Sequence, residues 1–431
     1  MKIINYIIEN FKIKFIKDTS YTLASHFLVG ISGLLINTLI GNYYGASALG
    51  VINQALSFYM IISLFANFGI QTSSQKYTSQ YINNRNIINL IFTSSIISTI
   101  ITSIITIFLF ILFLNFFPST IKSVEVKEIL QLFLYAVPLF ALNKSINNFL
   151  TGLRNMKTYS FARGLRWLIV IIAVILIVIN KMSLNMIATS FILSEFIIFI
   201  FLMFHTYKYL GKIKINWVCN HISFGAKSFI SEFVANFNTR VPILFIGYIL
   251  GDAAAGYYSY IEVFAFSIMM FSSALQKNFN PVFTQLWHQN KIREIETKIL
   301  KVFKNLTLVT VPLFIMIFVL YYFYTVTFMT EDYLEYNYAL IVLLLGGLIK
   351  FLFGPFASFL IMTDHLYLNL FRVIFYAVIN IIIAVILLEP LGIIGASIGF
   401  FISTFINILI LNYLYNKKIK LNLFTLLFKN L

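Results

Sequence analysis

Apolar runs of about 20 residues, the length that carries an α-helix across the hydrocarbon of a bilayer, follow one another along this chain from end to end. Twelve are legible, at approximately 19–40, 46–70, 87–114, 129–152, 164–180, 185–207, 223–250, 254–276, 303–326, 337–361, 368–388 and 391–414. The connections between them are short. The first run follows a basic segment, but it lacks a small-residue cleavage site and is succeeded by eleven more, so it reads as a retained span. Ahead of it, residues 1–18, MKIINYIIENFKIKFIKD, set Lys2, Lys12, Lys14 and Lys17 among Ile and Phe, the pattern of an amphipathic leader lying on the cytoplasmic lipid face.

The pattern has a period longer than a single span. IGNYYGASALG at 40–50 returns as IGYILGDAAAG at 246–256, matching Gly41, Gly45 and Gly50 to Gly247, Gly251 and Gly256 at an offset of 206. The same offset pairs Ser25 with Ser231, Asn84 with Asn290, Lys144 with Lys350, Met156 with Met362 and Arg166 with Arg372. Each partner falls six spans further on, so the halves share one orientation and form a parallel repeat, a construction found in transporters. The expected organisation is an all-α integral membrane protein of twelve transmembrane helices in two pseudo-symmetric six-helix bundles. Its parts are the leader 1–18, a lobe at 19–207, a cytoplasmic linker at 208–222, a lobe at 223–414 and a cytoplasmic tail at 415–431. The glycine stretch sits where span 1 turns into span 2 and span 7 into span 8. There glycine supplies the positive φ of a tight reversal, and Gly50 and Gly256, one turn further on, allow close backbone approach.

Composition agrees with lipid as the solvent. Hydrophobic residues make up 60% and charged ones 11%, where a soluble domain is roughly a quarter charged; the mean hydropathy is +0.90. The net charge of +16 follows topology. With the N-terminus inside, all but six of the 31 Lys and Arg residues fall on the cytoplasmic side, as short basic loops do. The six are Lys122, Lys127 and Lys181 outside and Lys144, Arg240 and Lys350 at membrane depth, whereas the external loops hold Glu125, Glu128, Asp252, Glu331, Asp332, Glu335 and Glu389. This balance adds attraction to anionic lipid and is no sign of nucleic-acid binding. One cysteine, Cys219, excludes a disulfide framework, and the five histidines are scattered. No metal spacing, P-loop, GxSxG or paired-carboxylate arrangement is present, so no cofactor is called for. The external loops are too short for an enzyme acting on a large glycan.

A charge at the bilayer centre costs at least ~2.5 kcal/mol on insertion scales, so the internal ones need a reason. Span 7 places Ser228, Glu232, Asn236 and Arg240 at spacings of four, on one helical face, with Asn238 and Thr239 beside them. Span 4 gathers Asn143, Lys144, Asn147, Asn148 and Thr151; spans 1 and 2 offer His26, Asn37, Asn53, Gln54 and Asn67. Two arrangements are open. Lys144, Arg240 and Lys350 form ion pairs with Glu195, Glu232 and Glu262 that hold the bundle together, or they bind an anionic head group, Arg by its fork and Lys as a point charge. Arg240, Lys144, Lys350, Asn236 and Asn147 are the candidate substrate contacts. Glu232, Glu262 and Glu195 are the acids deep enough to exchange a proton or Na⁺, Glu232 first because it shares a face with Arg240. Those two lie roughly 12 Å apart along the helix, too far to neutralise each other directly.

Twelve spans in two halves, the IGNYYGASALG hairpin, GIQTSSQKYTSQY after span 2 and QKNFNPVFTQLWHQNK after span 8 resemble the polysaccharide transporter family. That family holds the O-antigen and capsule repeat-unit flippases and belongs to the superfamily of the MATE drug exporters. The resemblance implies a MATE-like fold with a cationic cavity that moves an undecaprenyl-diphosphate-linked oligosaccharide across the bacterial inner membrane. It also implies membrane lipids, the polysaccharide polymerase and the chain-length machinery as partners. The three internal glutamates depart from that picture, because they make the membrane interior formally neutral. The alternative is a cation-coupled MATE-type multidrug exporter using Glu232 or Glu262; a membrane glycan polymerase is disfavoured by the short loops.

Overall fold

The computed structural model describes the backbone of residues 2–357, 359–363, 365–419 and 422–424, with side chains from Ser20 onward apart from scattered positions, most of them between 270 and 288. Among these residues there is no strand. The helices are α1 (Lys2–Asn67), α2 (Ile70–Gln80), α3 (Arg85–Phe116), α4 (Val124–Gly152), α5 (Met156–Ile179), α6 (Asn185–Thr206), α7 (Ile215–Leu250), α8 (Asp252–His288), α9 (Ile292–Phe328), α10 (Asn337–Phe353), the single turn α11 (Phe359–Met362) and α12 (Leu366–Ile419). The leader's backbone is helical, as part of α1, while its side chains and most of the tail lie outside the described residues.

Nine of the described helical stretches are long and apolar enough to cross a membrane. Two of them hold two spans each. Inside α1, Gly45 adopts φ 90° and ψ 171°, and Asn53 Nδ2 donates to Asn37 Oδ1 at 2.8 Å. In a straight helix those residues would stand roughly 24 Å apart, so the chain folds back on itself at Gly45. Inside α12 the break is Gly392, φ 58°. Beyond it Ser403 Oγ donates to Asn380 Oδ1 at 3.1 Å across 23 residues. With α8 as the remaining crossing the protein has twelve transmembrane helices, in the sequence-expected order.

The chain packs as two units, Met1–Tyr44 with Val51–Phe233, and Gly45–Gly50 with Val234–Leu431. In the first, α4 is central, packing on α2, α3, α5 and α6; in the second, α10 packs on α8, α9 and α12. These two helices carry Lys144 and Lys350. One helix shows how a lipid solvent alters the usual distribution of polar and apolar side chains. α3 buries Ser94, Ser95, Ser98, Thr99 and Ser103 and leaves Ile104, Ile105, Phe108 and Leu109 exposed. Three of the buried hydroxyls bond to carbonyls of their own helix, Ser95 Oγ to Phe92 O, Ser98 Oγ to Ser94 O and Thr99 Oγ1 to Ser95 O. The half-buried Thr102 Oγ1 reaches Ala66 O of α1, while Ser103 Oγ has no partner among the described residues. Small hydroxylated residues inside and branched apolar ones outside suit a lipid solvent, which gives no hydrophobic drive for hiding isoleucine and a large penalty for an unbonded polar group.

The glycine repeat is a backbone device. Gly251 takes φ 92°, almost the value at Gly45, in the left-handed region open to glycine. A Cβ at Gly50 would stand 1.7 Å from Asp252 O, and one at Gly256 would stand 1.9 Å from Ala46 O. The two hairpins therefore pack on each other through reciprocal backbone contacts that a methyl group would break. Asn84 caps α3 by accepting from Ile87 N–H, and its repeat partner Asn290 turns the chain at φ 56° before α9.

Candidate functional site

In the first unit, one carboxylate gathers the polar groups of three helices. Lys144 Nζ of α4 lies 2.6 Å from Glu232 Oε1 of α7, and the Gln71 side-chain amide of α2 donates to Oε2 of the same carboxylate. Both members of the ion pair are about a quarter exposed, 26% each, so the pair is reachable. Sequence placed α2 and α7 far apart, and glycine lets them meet: Gly69, φ 72°, and Gly225 approach so closely that a Cβ on Gly225 would stand 2.4 Å from Phe68 O. Aromatic rings close the contact, Phe65 against Phe229 and Phe233 at 5.2 and 5.1 Å. Towards the start of α7, outside the spans, His221 is fully buried. Its Nε2 lies 3.1 Å from Ile91 O and its Nδ1 2.7 Å from Ser73 Oγ. Burial pushes this imidazole down to about 4, which keeps it neutral at physiological pH.

A second charge pair of the same unit is deeper. Glu195 of α6 is fully buried, with Arg166 Nε of α5 2.6 Å from its Oε1 and Asn143 Nδ2 of α4 2.8 Å from its Oε2. The Arg166 guanidinium also lies over the Phe140 ring at 4.9 Å. By sequence Arg166 belongs with the cytoplasmic cations, since it stands at the very start of its span. The structure places it inside, held there by the acid of the next helix.

The second unit treats its cations differently. Lys350 Nζ of α10 sits 4.9 Å from the centroid of Tyr376 and 4.8 Å from that of Phe400, both on α12. No carboxylate among the described residues lies within ion-pair distance of it. Beside these rings runs a neutral chain: Asn380 Nδ2 donates to Asn238 Oδ1 at 2.9 Å, Ser403 donates to Asn380, and Tyr376 Oη lies 3.5 Å from Thr404 Oγ1. Arg372, the repeat partner of Arg166, is buried and among the described residues bonds neutral oxygens, Asn407 Oδ1 at 2.7 Å, Asn369 Oδ1 at 2.9 Å and Ala357 O at 3.5 Å. Arg240 acts electrostatically on Glu262, yet the two make no ion pair within 4 Å, and the buried Glu262 Oε1 has no hydrogen-bond donor among the described residues.

The structure thus pairs Lys144 with Glu232, as in the ion-paired arrangement that the sequence leaves open beside substrate contact. It seats Glu195 on Arg166 and leaves Lys350 and Glu262 without ion-pair partners among the described residues. Asn147 is half-buried, its Oδ1 without a donor among the described residues; Asn236 is exposed. Sequence reasoning missed Gln71, Tyr376, Phe400 and the depth of Arg166 and Arg372. The signal for the arginines was present in their matching repeat positions, and for Gln71 in the polar GIQTSSQ segment. No three His, Cys, Asp or Glu side chains gather as a metal site among the described residues.

Residues 15–287, more than half of the chain, match the family described as polysaccharide biosynthesis protein. A search of curated proteins returns no match. Among solved structures, an inward-facing multidrug resistance MATE family transporter of the MOP superfamily has a TM-score of 0.73 at 16% identity, covering 93% of this chain and 97% of that one. The lipid II flippase MurJ in an inward closed conformation has a TM-score of 0.70 at 17% identity, covering 92% and 87%. A MOP superfamily transporter from Pyrococcus furiosus, noted for the reverse polarity of its binding pocket, has a TM-score of 0.60 at 16% identity, covering 92% and 93%. These likenesses identify the fold.

Proposed function

Because the chain belongs to the polysaccharide biosynthesis protein family, we propose that it is a flippase for undecaprenyl-diphosphate-linked oligosaccharide repeat units. It moves them across the bacterial inner membrane for O-antigen, capsule or other surface polysaccharide assembly, beside the polymerase and chain-length machinery. The observation that carries this reading is Lys350. An internal ammonium held by two aromatic faces gains about 0.5–2 kcal/mol from them, less than a charge-assisted bond to an anion. A diphosphate can therefore take Lys350 without displacing a carboxylate. Arg240, Lys144, Asn236 and Asn147 are the further candidate contacts, and the exposed amide of Asn236 suits sugar hydroxyls.

Among the acids, Glu262 is the first choice for a coupling ion, because it is buried with neither an ion pair nor a donor on Oε1 among the described residues. Glu232 and Glu195 follow, each already engaged by a cation. The test is complementation of a host lacking its own copy of this gene. Lys350→Ala at normal membrane abundance is expected to abolish surface polysaccharide, and full restoration would refute the assignment. The same Glu262 also suits the alternative, a cation-coupled drug exporter. That reading prevails if the protein confers drug resistance that Glu262→Gln removes while surface polysaccharide is untouched.

A further inference from the structure

We infer that Lys144 and Gln71 form a second diphosphate site, in the first unit, which the carboxylate of Glu232 occupies at rest. The inference rests on the flippase reading and deepens it. Lys144 and Lys350 hold the same repeat position, each on the central helix of its unit. Lys350 waits between rings, while Lys144 faces a carboxylate whose two oxygens are taken by two different helices, Oε1 by the Lys144 ammonium and Oε2 by the Gln71 amide. An ammonium and an amide N–H converging on two oxygens of one anion are the donors a phosphate needs. Glu232 therefore stands where a phosphate group would stand. The site is a built one, since α2 is fixed below it by the Gly69–Gly225 approach and by Ser73 against His221.

Two features make the occupant exchangeable. The pair is partly exposed on both sides, so a competing anion can reach Lys144. Glu232 also comes from a helix, α7, that carries neither donor, and it lies two residues before the second unit begins. The doubly charged diphosphate competes with one carboxylate for the same two donors, and where it wins it frees Glu232 from α2 and α4. Substrate binding and release of the Glu232 carboxylate from α2 and α4 are then one event. Glu232 serves as an internal stand-in for the substrate.

The test counts lipids on the detergent-purified full-length protein by native mass spectrometry, using undecaprenyl diphosphate as probe and undecaprenol as the uncharged control. Wild type is expected to take one diphosphate lipid in preference to undecaprenol, a preference lost in Lys350→Ala, and a second only at roughly tenfold higher lipid than Glu232→Gln requires. Glu232→Gln, which keeps the shape and removes the charge, is expected to take a second, with apparent affinity raised roughly tenfold. Glu232→Asp stays at one, and Glu232→Gln combined with Lys144→Ala loses the second lipid. Thermal unfolding midpoints matched to wild type show that the variants are folded. The inference is overturned if Glu232→Gln takes only one lipid, or if the double variant keeps the second. If wild type shows no preference for the diphosphate over undecaprenol, the flippase reading falls, and the inference falls with it.

Discussion

Gly45 and Gly251 stand 206 residues apart and share a backbone conformation to within a few degrees, φ 90° and 92°. Lys144 and Lys350, at the same offset, share only their charge: one is paired to an acid, the other lies between rings. Arg166 and Arg372 repeat the contrast, the first on Glu195 and the second on the neutral oxygens of Asn407 and Asn369. The two halves have kept what sterics dictates and separated in what charge permits. A reversal that needs positive φ accepts little besides glycine, whereas a buried cation can be satisfied by a carboxylate, an amide oxygen or a π-face. Among the described residues, the internal cations Lys144 and Arg166 of the first unit face carboxylates, and Lys350 and Arg372 of the second do not.

The part that sterics preserved should be the least forgiving. Gly256→Val puts atoms into the Ala46 carbonyl, already 1.9 Å from an added Cβ, and is expected to leave no folded protein in the membrane by fluorescence-detected gel filtration; a normal monodisperse peak would show that the hairpins do not depend on that approach. Next comes the deeper pair. Glu195→Ala strands a buried guanidinium at a cost of about 3–5 kcal/mol, and its thermal midpoint should fall well below that of Asn407→Ala, which removes one bond of about 1.5–3 kcal/mol from Arg372. Equal losses would erase the contrast between the units.

Acid provides a milder probe of the first unit alone. His221 is held neutral, with its folded pKa at about 4 against 6.5 when unfolded. Between those values the unfolded chain binds the proton more readily, so the stability it confers is complete above pH 6.5 and drains away as pH falls towards 4. At pH 5 the loss is about 2 kcal/mol, and His221→Gln should flatten that dependence in a melting series. The smallest effect belongs to the second unit. Tyr376→Leu removes one of two rings from Lys350, about 1 kcal/mol or less, and should change lipid binding only a few-fold, far less than Lys350→Ala.

The twelve helices and the hairpins were legible because both leave local marks: an apolar run of spanning length, and glycine where a turn must reverse. The charge partners were not. Periodicity places Glu232 and Arg240 on one face of α7, but it cannot say that Glu232 meets Lys144, 88 residues earlier, or that Gln71 joins them, since that depends on two glycines letting α2 touch α7. Arg166 was misplaced for a related reason. A cation in the first turns of a span can snorkel outward, and only the acid on α6 decides that it turns inward. Lys350 was found by sequence, but the rings that hold it were hidden among 47 phenylalanines and 25 tyrosines.

The bond between Lys144 and Glu232 also bears on how the protein is made. A ribosome adding about 5–20 residues per second places Lys144 in the bilayer several seconds before Glu232 exists, whereas the hydroxyls of Ser98 and Thr99 in α3 arrive with carbonyl partners already on their own helix. For that interval the lysine has to be sheltered by water, lipid head groups or the insertion machinery. The first six helices are thus electrically incomplete when they leave the ribosome, and the start of the second half finishes the first.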